Sequence, residues 1–362
     1  MSRRSNARPV PAVQRGGHCG GGATRCRLLT AAALTCVGLG LAACSDASET
    51  PSEPTSAAPS EPTDSTTTEP ATTPAPTPSE PTKSKRLPTT WPADVRPARV
   101  MRDIRTLAKD IGPREGTSAA FYQAADLVQD RLDQLGYVTS RQSVRAPAGV
   151  SWGVPVEAGR SVNVIASPPG VDAGSPHLVV GAHLDTVPQA PGAEDNASGV
   201  AVVLELARLA ARAETRLPVR FVAFGAEEPR GEGEAWHHFG SKHYVRAMDP
   251  PERRAMRGMV SLDRVGVPAP AVPVCTGGVG STAVQRSVLD VARTVDVPAD
   301  ACVNTGSDHY SFELKGMGAA RIGGVSYSAY HSAADLPRVV DPDQLDRVGR
   351  ITWAWLAPPS TR

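Results

Sequence analysis

The chain has 362 residues, with 38 basic and 37 acidic side chains. Six of the arginines fall in residues 1–27 beside no acidic residue, so the rest of the chain carries 32 basic against 37 acidic groups, a net of −5. An acidic balance argues against a nucleic-acid partner, and the length is ample for one large domain with its own core.

The arginine-rich start leads into residues 28–43, LLTAAALTCVGLGLAA, which end at Leu41-Ala42-Ala43-Cys44. A basic stretch, an apolar stretch and small residues in that order read as a secretory signal. The ending resembles a bacterial lipoprotein signal, with Cys44 as the lipidated residue. The mature chain is then expected outside the cytoplasm, held to the membrane through Cys44 or released. A membrane-spanning anchor is the alternative, but the run falls short of the ~20 residues a span needs. Residues 44–90 read as a disordered tether. Positions 45–82 hold 7 Ser, 10 Thr, 9 Pro, 7 acidic residues and 5 Ala, with no bulky apolar side chain to offset the entropy of ordering.

Residues 91–362 read as the folded domain. Two helices are expected over 98–135, the second from Thr117 to Leu135 with apolar residues at helical spacing (Phe121, Ala124, Val128, Leu132) and a stop at Gly136. Strands are expected at 137–144, 162–166, 178–182, 219–225, 258–262 and 319–322. Helices are expected at 196–212, 282–294 and 344–356. Buried strands alternating with helices predict a single α/β/α domain, its mixed, largely parallel central sheet covered on both faces. Cys275 and Cys302 are the cysteines of this part. An oxidising compartment favours a disulfide between them, and two buried thiols are the alternative.

The candidate site residues follow the strands. His183 and Asp185 come just after 178–182, Glu227 and Glu228 just after 219–225, and Asp263 just after 258–262. Open α/β sheets place their sites at these carboxyl ends. In GAHLDTVPQAPGAEDNASG, His183 offers an imidazole to a metal. Asp185, two residues on, is expected to accept its other N–H, and Asp195 has two oxygens with which to bridge two ions. Glu227 and Glu228 can reach one site only where the strand ends. Glu228 is read as a ligand, and Glu227 as the general base that takes the proton of the attacking water. Asp263 and His331, in YSAYHSAADLP, complete a set of two imidazoles and three carboxylates. That set suits two divalent ions, one held by His183, Glu228 and Asp195 and the other by Asp263, His331 and Asp195. Nitrogen and oxygen donors without thiolate fit two Zn²⁺, with Co²⁺ or Mn²⁺ as substitutes.

The ordered motifs His-x-Asp, Asp-Asn-x-Ser-Gly, Glu-Glu, Asp and Tyr-His resemble metallopeptidase family 28, the secreted dizinc aminopeptidases and their glutaminyl-cyclase relatives. The resemblance runs from about residue 98 to the C-terminus. It implies zinc-dependent removal of N-terminal residues from peptides with a free amino terminus. It further implies a bridging Asp195, a cis bond between Asp195 and Asn196, Glu227 as base and a Tyr330 hydroxyl that steadies the oxyanion. Asp308, in Ser307-Asp308-His309, matches a stretch that lies behind the ligands.

There are departures. PRGEGEAWHHF, between Glu228 and Gly240, is longer than in the compact aminopeptidases. Its His237 and His238 are read as part of a pocket or surface loop, not as ligands. Arg264 stands where an apolar residue is commoner. The Asn196-Ala197-Ser198 glycosylation pattern is discounted because it lies inside the site. Trp236, Phe239, Phe312 and Tyr327 are the expected lining of the substrate pocket. Three other readings remain. A carboxypeptidase relative needs a lid domain for which the 35- and 68-residue intervals from Glu228 to Asp263 and Asp263 to His331 leave no room. A glutaminyl cyclase keeps one zinc, and a binding protein on a dead scaffold loses ligands or base.

Overall fold

The computed structural model describes residues 94–358. The predicted signal at 1–43, the lipidation site Cys44, the tether and the other residues before 94 lie outside the described residues. Within the described part no helix is long and apolar enough to cross a membrane.

The chain opens with helices α1 (Pro97–Arg105) and α2 (Ala119–Gln134), then strand β1 (Val138–Ala146), a two-stranded ribbon of β2 (Gly149–Ser151) and β3 (Val154–Val156), and strands β4 (Gly159–Ser167) and β5 (His177–His183). Helix α3 (Gly199–Ala210) leads to β6 (Val219–Phe224), followed by α4 (Phe239–Ala247), α5 (Pro250–Ala255), β7 (Met256–Asp263) and β8 (Val272–Thr276). Helix α6 (Ala283–Thr294), β9 (Ala299–Val303), α7 (His309–Glu313), β10 (Ala319–Gly323) and α8 (Pro342–Leu356) complete it.

Eight strands form one sheet in the order β1-β4-β6-β5-β7-β10-β8-β9. The four central strands, β6, β5, β7 and β10, run parallel, while β1, β4 and β8 add antiparallel pairings toward the edges. Every residue of β5 and β6 is buried, as strands covered on both faces must be. The period-2 alternation of side chains divides them between two cores. Leu178, Val180, Phe221, Val260 and Leu262 pack with Ile104, Phe121, Val128, Leu206, Val288 and Ile351 of α1, α2, α3, α6 and α8. Val179, Val222, Phe224 and Met259 pack with Tyr244 and Phe312 of α4 and α7. The predicted three-layer mixed sheet is therefore what the chain forms. Each fully buried Leu, Val or Phe contributes about 1.5–3 kcal/mol, and this apolar packing fixes the strand ends that carry the site.

Helix starts follow local chemistry. Ser118 caps α2 by accepting the Phe121 N–H, and Asp341 caps α8 by accepting that of Asp343. Gly136 closes the helix at φ +88°, as a left-handed C-terminal glycine does. Gly199 starts α3 against β7, where a Cβ would stand 2.2 Å from the Leu262 carbonyl oxygen. No larger residue fits this approach.

Strands β8 and β9, the β2–β3 ribbon and helices α4 and α7 are additions to the expected elements. β8 reads VPVCT, with a proline that speaks against a strand, and β9 is largely exposed. Cys275 and Cys302 face each other across these two strands and are joined as a disulfide, with Cα atoms 4.3 Å apart.

Candidate active site

The site is built at the carboxyl ends of the parallel strands. His183 and Asp263 are the last residues of β5 and β7. Glu227 and Glu228 follow the end of β6, Asp195 lies in the irregular turn before α3, and His331 follows β10 at φ +52°. His183 Nε2 lies 3.1 Å from Asp195 Oδ1, and His331 Nε2 lies 3.0 Å from Asp195 Oδ2. Two imidazoles distant in sequence thus meet on the two oxygens of one carboxylate. All six side chains are buried.

The remaining carboxylates divide between them. Asp263 Oδ1 is 4.0 Å from His183 Nε2, and Glu228 Oε2 is 3.4 Å from His331 Nε2. These nearest contacts pair the groups differently from the expected partition, which put Glu228 with His183 and Asp263 with His331. The expected set of His183, Asp195 and Glu228 is also brought together, its donor atoms all within 4.8 Å of one another. Donor atoms of His183, Glu227 and Asp263 meet the same limit.

Backbone clamps hold these groups. His183 Nδ1 donates to the Asp185 carbonyl at 3.1 Å, which leaves Nε2 to face the cluster. The Asp185 carboxylate does not take that proton, contrary to expectation. The chain has left the strand at His183, and the carboxylate instead accepts the N–H groups of Glu227 (3.0 Å) and Glu228 (3.1 Å). Asp335 does the same for Glu194 (2.9 Å) and Asp195 (3.1 Å) and receives the Tyr327 hydroxyl at 3.0 Å. Glu194 accepts the N–H groups of Gly266 and Val267, tying the turn to the end of β7. Buried Arg114 donates to the carbonyls of Leu184, Pro191 and Gly192. The Asp195–Asn196 peptide bond is cis. Asn196 is fully buried and donates to the Leu262 carbonyl at 2.9 Å, so its amide is not a surface group.

Charge explains the ionisation of the cluster. Burial pushes Asp195 up, but the bonds from His183 and His331 outweigh it and hold the carboxyl far below its ordinary value. Burial and the charges of Asp195 and Glu227 push Glu228 well up. For Glu227, burial is overcome by the charges of His183 and His238, which bring it down to about 2. Burial and the Glu227 charge raise Asp308 to about 7, placing this buried acid within electrostatic reach of the site. Asp263 is flanked by Arg321 at 3.0 Å and Arg264 at 3.7 Å. Glu228 Oε1 is buried without a hydrogen-bond partner. Buried carboxylates in such excess over imidazoles are costly unless cations join them. The nitrogen and oxygen donors present fit divalent ions of the zinc type.

Aromatic groups form the rim. Tyr330 stacks on His331 at 3.7 Å, Arg264 lies over the Tyr330 ring at 4.5 Å, and Trp152 meets His331 edge-on at 4.3 Å. Of the expected pocket residues, Trp236 is exposed, and Tyr327 is half-buried beneath the rim at 5.9 Å from Tyr330. Phe312 is buried in the second core against Phe224 and Tyr244, not at the site. His238 departs most from expectation. It is buried, and its Nε2 lies 3.3 Å from Glu227 Oε1. Trp152, Arg114, Glu194, Asp335 and Arg321 carried no sequence signal, because each acts through a fold-dependent contact and belongs to no spaced motif.

Comparison with known proteins agrees with this geometry. The chain is 28% identical over 284 residues to leupeptin-inactivating enzyme 1 of Streptomyces exfoliatus, covering 71% of this chain and 60% of that protein. It is 31% identical over 187 residues to aminopeptidase YwaD of Bacillus subtilis, covering 49% of this chain and 40% of that protein. The chain thus spans 60% or less of the length of these curated relatives. The fold superposes on the structure of a zinc aminopeptidase from Bacillus subtilis with a TM-score of 0.65 at 18% identity, covering 77% of this chain and 98% of that one. The model of peptidase family M28 matches residues 163–356, more than half of the chain and every residue of the cluster. The chain belongs to peptidase family M28.

Proposed function

We propose that the chain is a zinc-dependent aminopeptidase that removes the N-terminal residue from peptides, exported and lipid-anchored at Cys44. The observation that carries this reading is the sharing of Asp195 by His183 and His331, with Glu228, Asp263 and Glu227 around them. Asp195 would bridge two ions, with His183 and Asp263 completing one set of ligands and His331 and Glu228 the other. Such ions, when bound, acidify water and polarise the scissile carbonyl.

The protein's own groups do the rest. Glu227 is held ionised and takes the proton of the attacking water, then returns it to the leaving amine. Burial pushes the Tyr330 hydroxyl well up, so it keeps its proton and can donate to the developing oxyanion. The relatives named as aminopeptidases support an aminopeptidase over an endopeptidase.

The test is hydrolysis of a panel of aminoacyl-nitroanilides by wild type and Glu227→Ala, with metal analysis of both. Expected are hydrolysis by wild type, a loss of 10²–10⁴-fold in the variant, and about two zincs per chain in each. Wild type and variant equally inert would support a dead scaffold. One zinc per chain with cyclisation of N-terminal glutamine would support the cyclase.

A further inference from the structure

The segment from Pro229 to His238 leaves the ligand Glu228 and returns to the site at its last residue. His238 sits at φ +57°, a conformation non-glycine residues seldom take. Its N–H bonds the Glu227 carbonyl at 2.8 Å, and the next N–H, of Phe239, bonds that of Ala226 at 2.9 Å. The return of the segment is thus fixed by backbone bonds to residue 227 and its neighbour.

The imidazole is 1% exposed and lies between two carboxylates. Nδ1 is hydrogen-bonded to Glu234 Oε1 at 3.0 Å, while Nε2 is 3.3 Å from Glu227 Oε1, an ion-pair contact that lacks hydrogen-bond geometry. Glu234 in turn meets Lys242 Nζ at 2.9 Å, and Lys242 donates to the His237 carbonyl at 2.8 Å. The other ionisable groups acting on His238 or its partners include His237, 5.5 Å away between ring centroids, Asp308, and, on Glu227, His183 and Asp195. The Glu234 side chain is 38% exposed and that of Glu227 8%. A single imidazole therefore joins the proposed base to a carboxylate in solvent.

From this geometry we infer that His238 is a positioning residue: its Nε2–H, already within ion-pair distance, takes up one oxygen of Glu227 during turnover and leaves the other for proton transfer, while Glu234 holds the ring from behind. This deepens, and rests on, the aminopeptidase reading. An imidazole that faces two carboxylates donates to both only when it carries both protons. Burial opposes that charge, but the Glu227 and Glu234 carboxylates outweigh it and raise the group to about 9. Charge-assisted bonds of this kind fix a carboxylate more firmly than neutral ones. A general base gains from being held, since small displacements from the reacting proton are costly.

The test compares His238→Ala, His238→Gln and Glu234→Gln with wild type, measuring kcat, KM, zinc content and thermal stability on an aminoacyl-nitroanilide. His238→Ala is expected to lower kcat roughly 10- to 100-fold, with KM and zinc content changed less than about twofold. His238→Gln, which keeps a donor in reach of Glu227, is expected to recover most of that loss. Glu234→Gln, partly exposed and still an acceptor, is expected to fall between them. An unaltered kcat in His238→Ala overturns the inference, as does equal loss in the Ala and Gln variants, which marks a packing role. If His238→Ala does not fold, Glu234→Gln decides: an unchanged kcat there overturns the inference and a lowered one with normal KM supports it. Wild type inert on every substrate while loaded with metal removes the aminopeptidase reading itself, and this inference with it. An active wild type matched by His238→Ala removes only this inference.

Discussion

The two sides of Asp195 are built differently. His183 and Asp263 end neighbouring strands, so the sheet's own ladder places them, and Asp263 already meets the cation of Arg321. Glu228 and His331 lie on irregular segments beyond β6 and β10. Their position depends on individual contacts: the Asp185 clamp on Glu228, the Gln189 amide on the His331 carbonyl at 3.3 Å, and the Trp152 edge against the ring. One side is fixed by secondary structure, and the other by side chains that can be removed singly. The difference predicts that distant substitutions weaken the second side first.

The largest effect is expected where both sides depend on one residue. Asp195→Ala should lose both metals and at least about 10³-fold in activity, since truncating the shared carboxylate leaves two imidazoles without their common partner. Mass spectrometry of the native protein and hydrolysis rates check this. Retention of one full equivalent of zinc would show that the sides are independent.

Next comes the clamp. Asp185→Ala frees two buried N–H groups, at about 1–3 kcal/mol each. It should lower thermal stability and weaken the metal held by Glu228 and His331 more than that held by His183 and Asp263. Competitive chelator titration resolves the two affinities. An equal drop in both would erase the proposed asymmetry.

Far from the site, Cys302→Ser opens the bond between β8 and β9, whose cysteines are 27 residues apart. The loop-entropy model gives a loss of about 3–4 kcal/mol. Thermal melting should register it while kcat stays within about twofold, because these strands lie at the sheet edge beyond β10.

A smaller effect concerns pH. Asp308 has a folded value of about 7 against an ordinary 3.8. The folded state therefore binds the extra proton across that interval, and stability falls as pH rises from about 4 to 7. Asp308→Asn removes this contribution, so the metal-free variant should show a flatter stability profile over that window in urea titrations. An identical slope would mean that Asp308 is already ionised.

Much of this was legible in the sequence, for identifiable reasons. The strands at 178–182, 219–225 and 258–262 are unbroken apolar runs, and each is followed directly by acidic or histidine side chains. Strand periodicity and residue type together therefore placed His183, Glu227, Glu228 and Asp263 on one edge. What escaped depended on distance across the fold. Which carboxylate lies nearest which imidazole depends on how the strand ends and the segment after β10 meet, and the order β6-β5-β7-β10 is written in no local pattern. Asp185 lies in the expected neighbourhood but meets a different partner, because the chain leaves the strand at His183. His238 reads as pocket or surface loop, since nothing in PRGEGEAWHHF signals that the chain doubles back onto Glu227. Phe312 looked like pocket lining, and only the packing of α7 against α4 shows it to be core.

The most direct measurement is the zinc content of the purified chain, in wild type and Asp195→Asn, alongside hydrolysis of aminoacyl-nitroanilides. A shared carboxylate predicts close to two zincs and turnover in wild type, with both lost together in the variant. A wild type that binds less than one zinc, or a variant that keeps two, would contradict it.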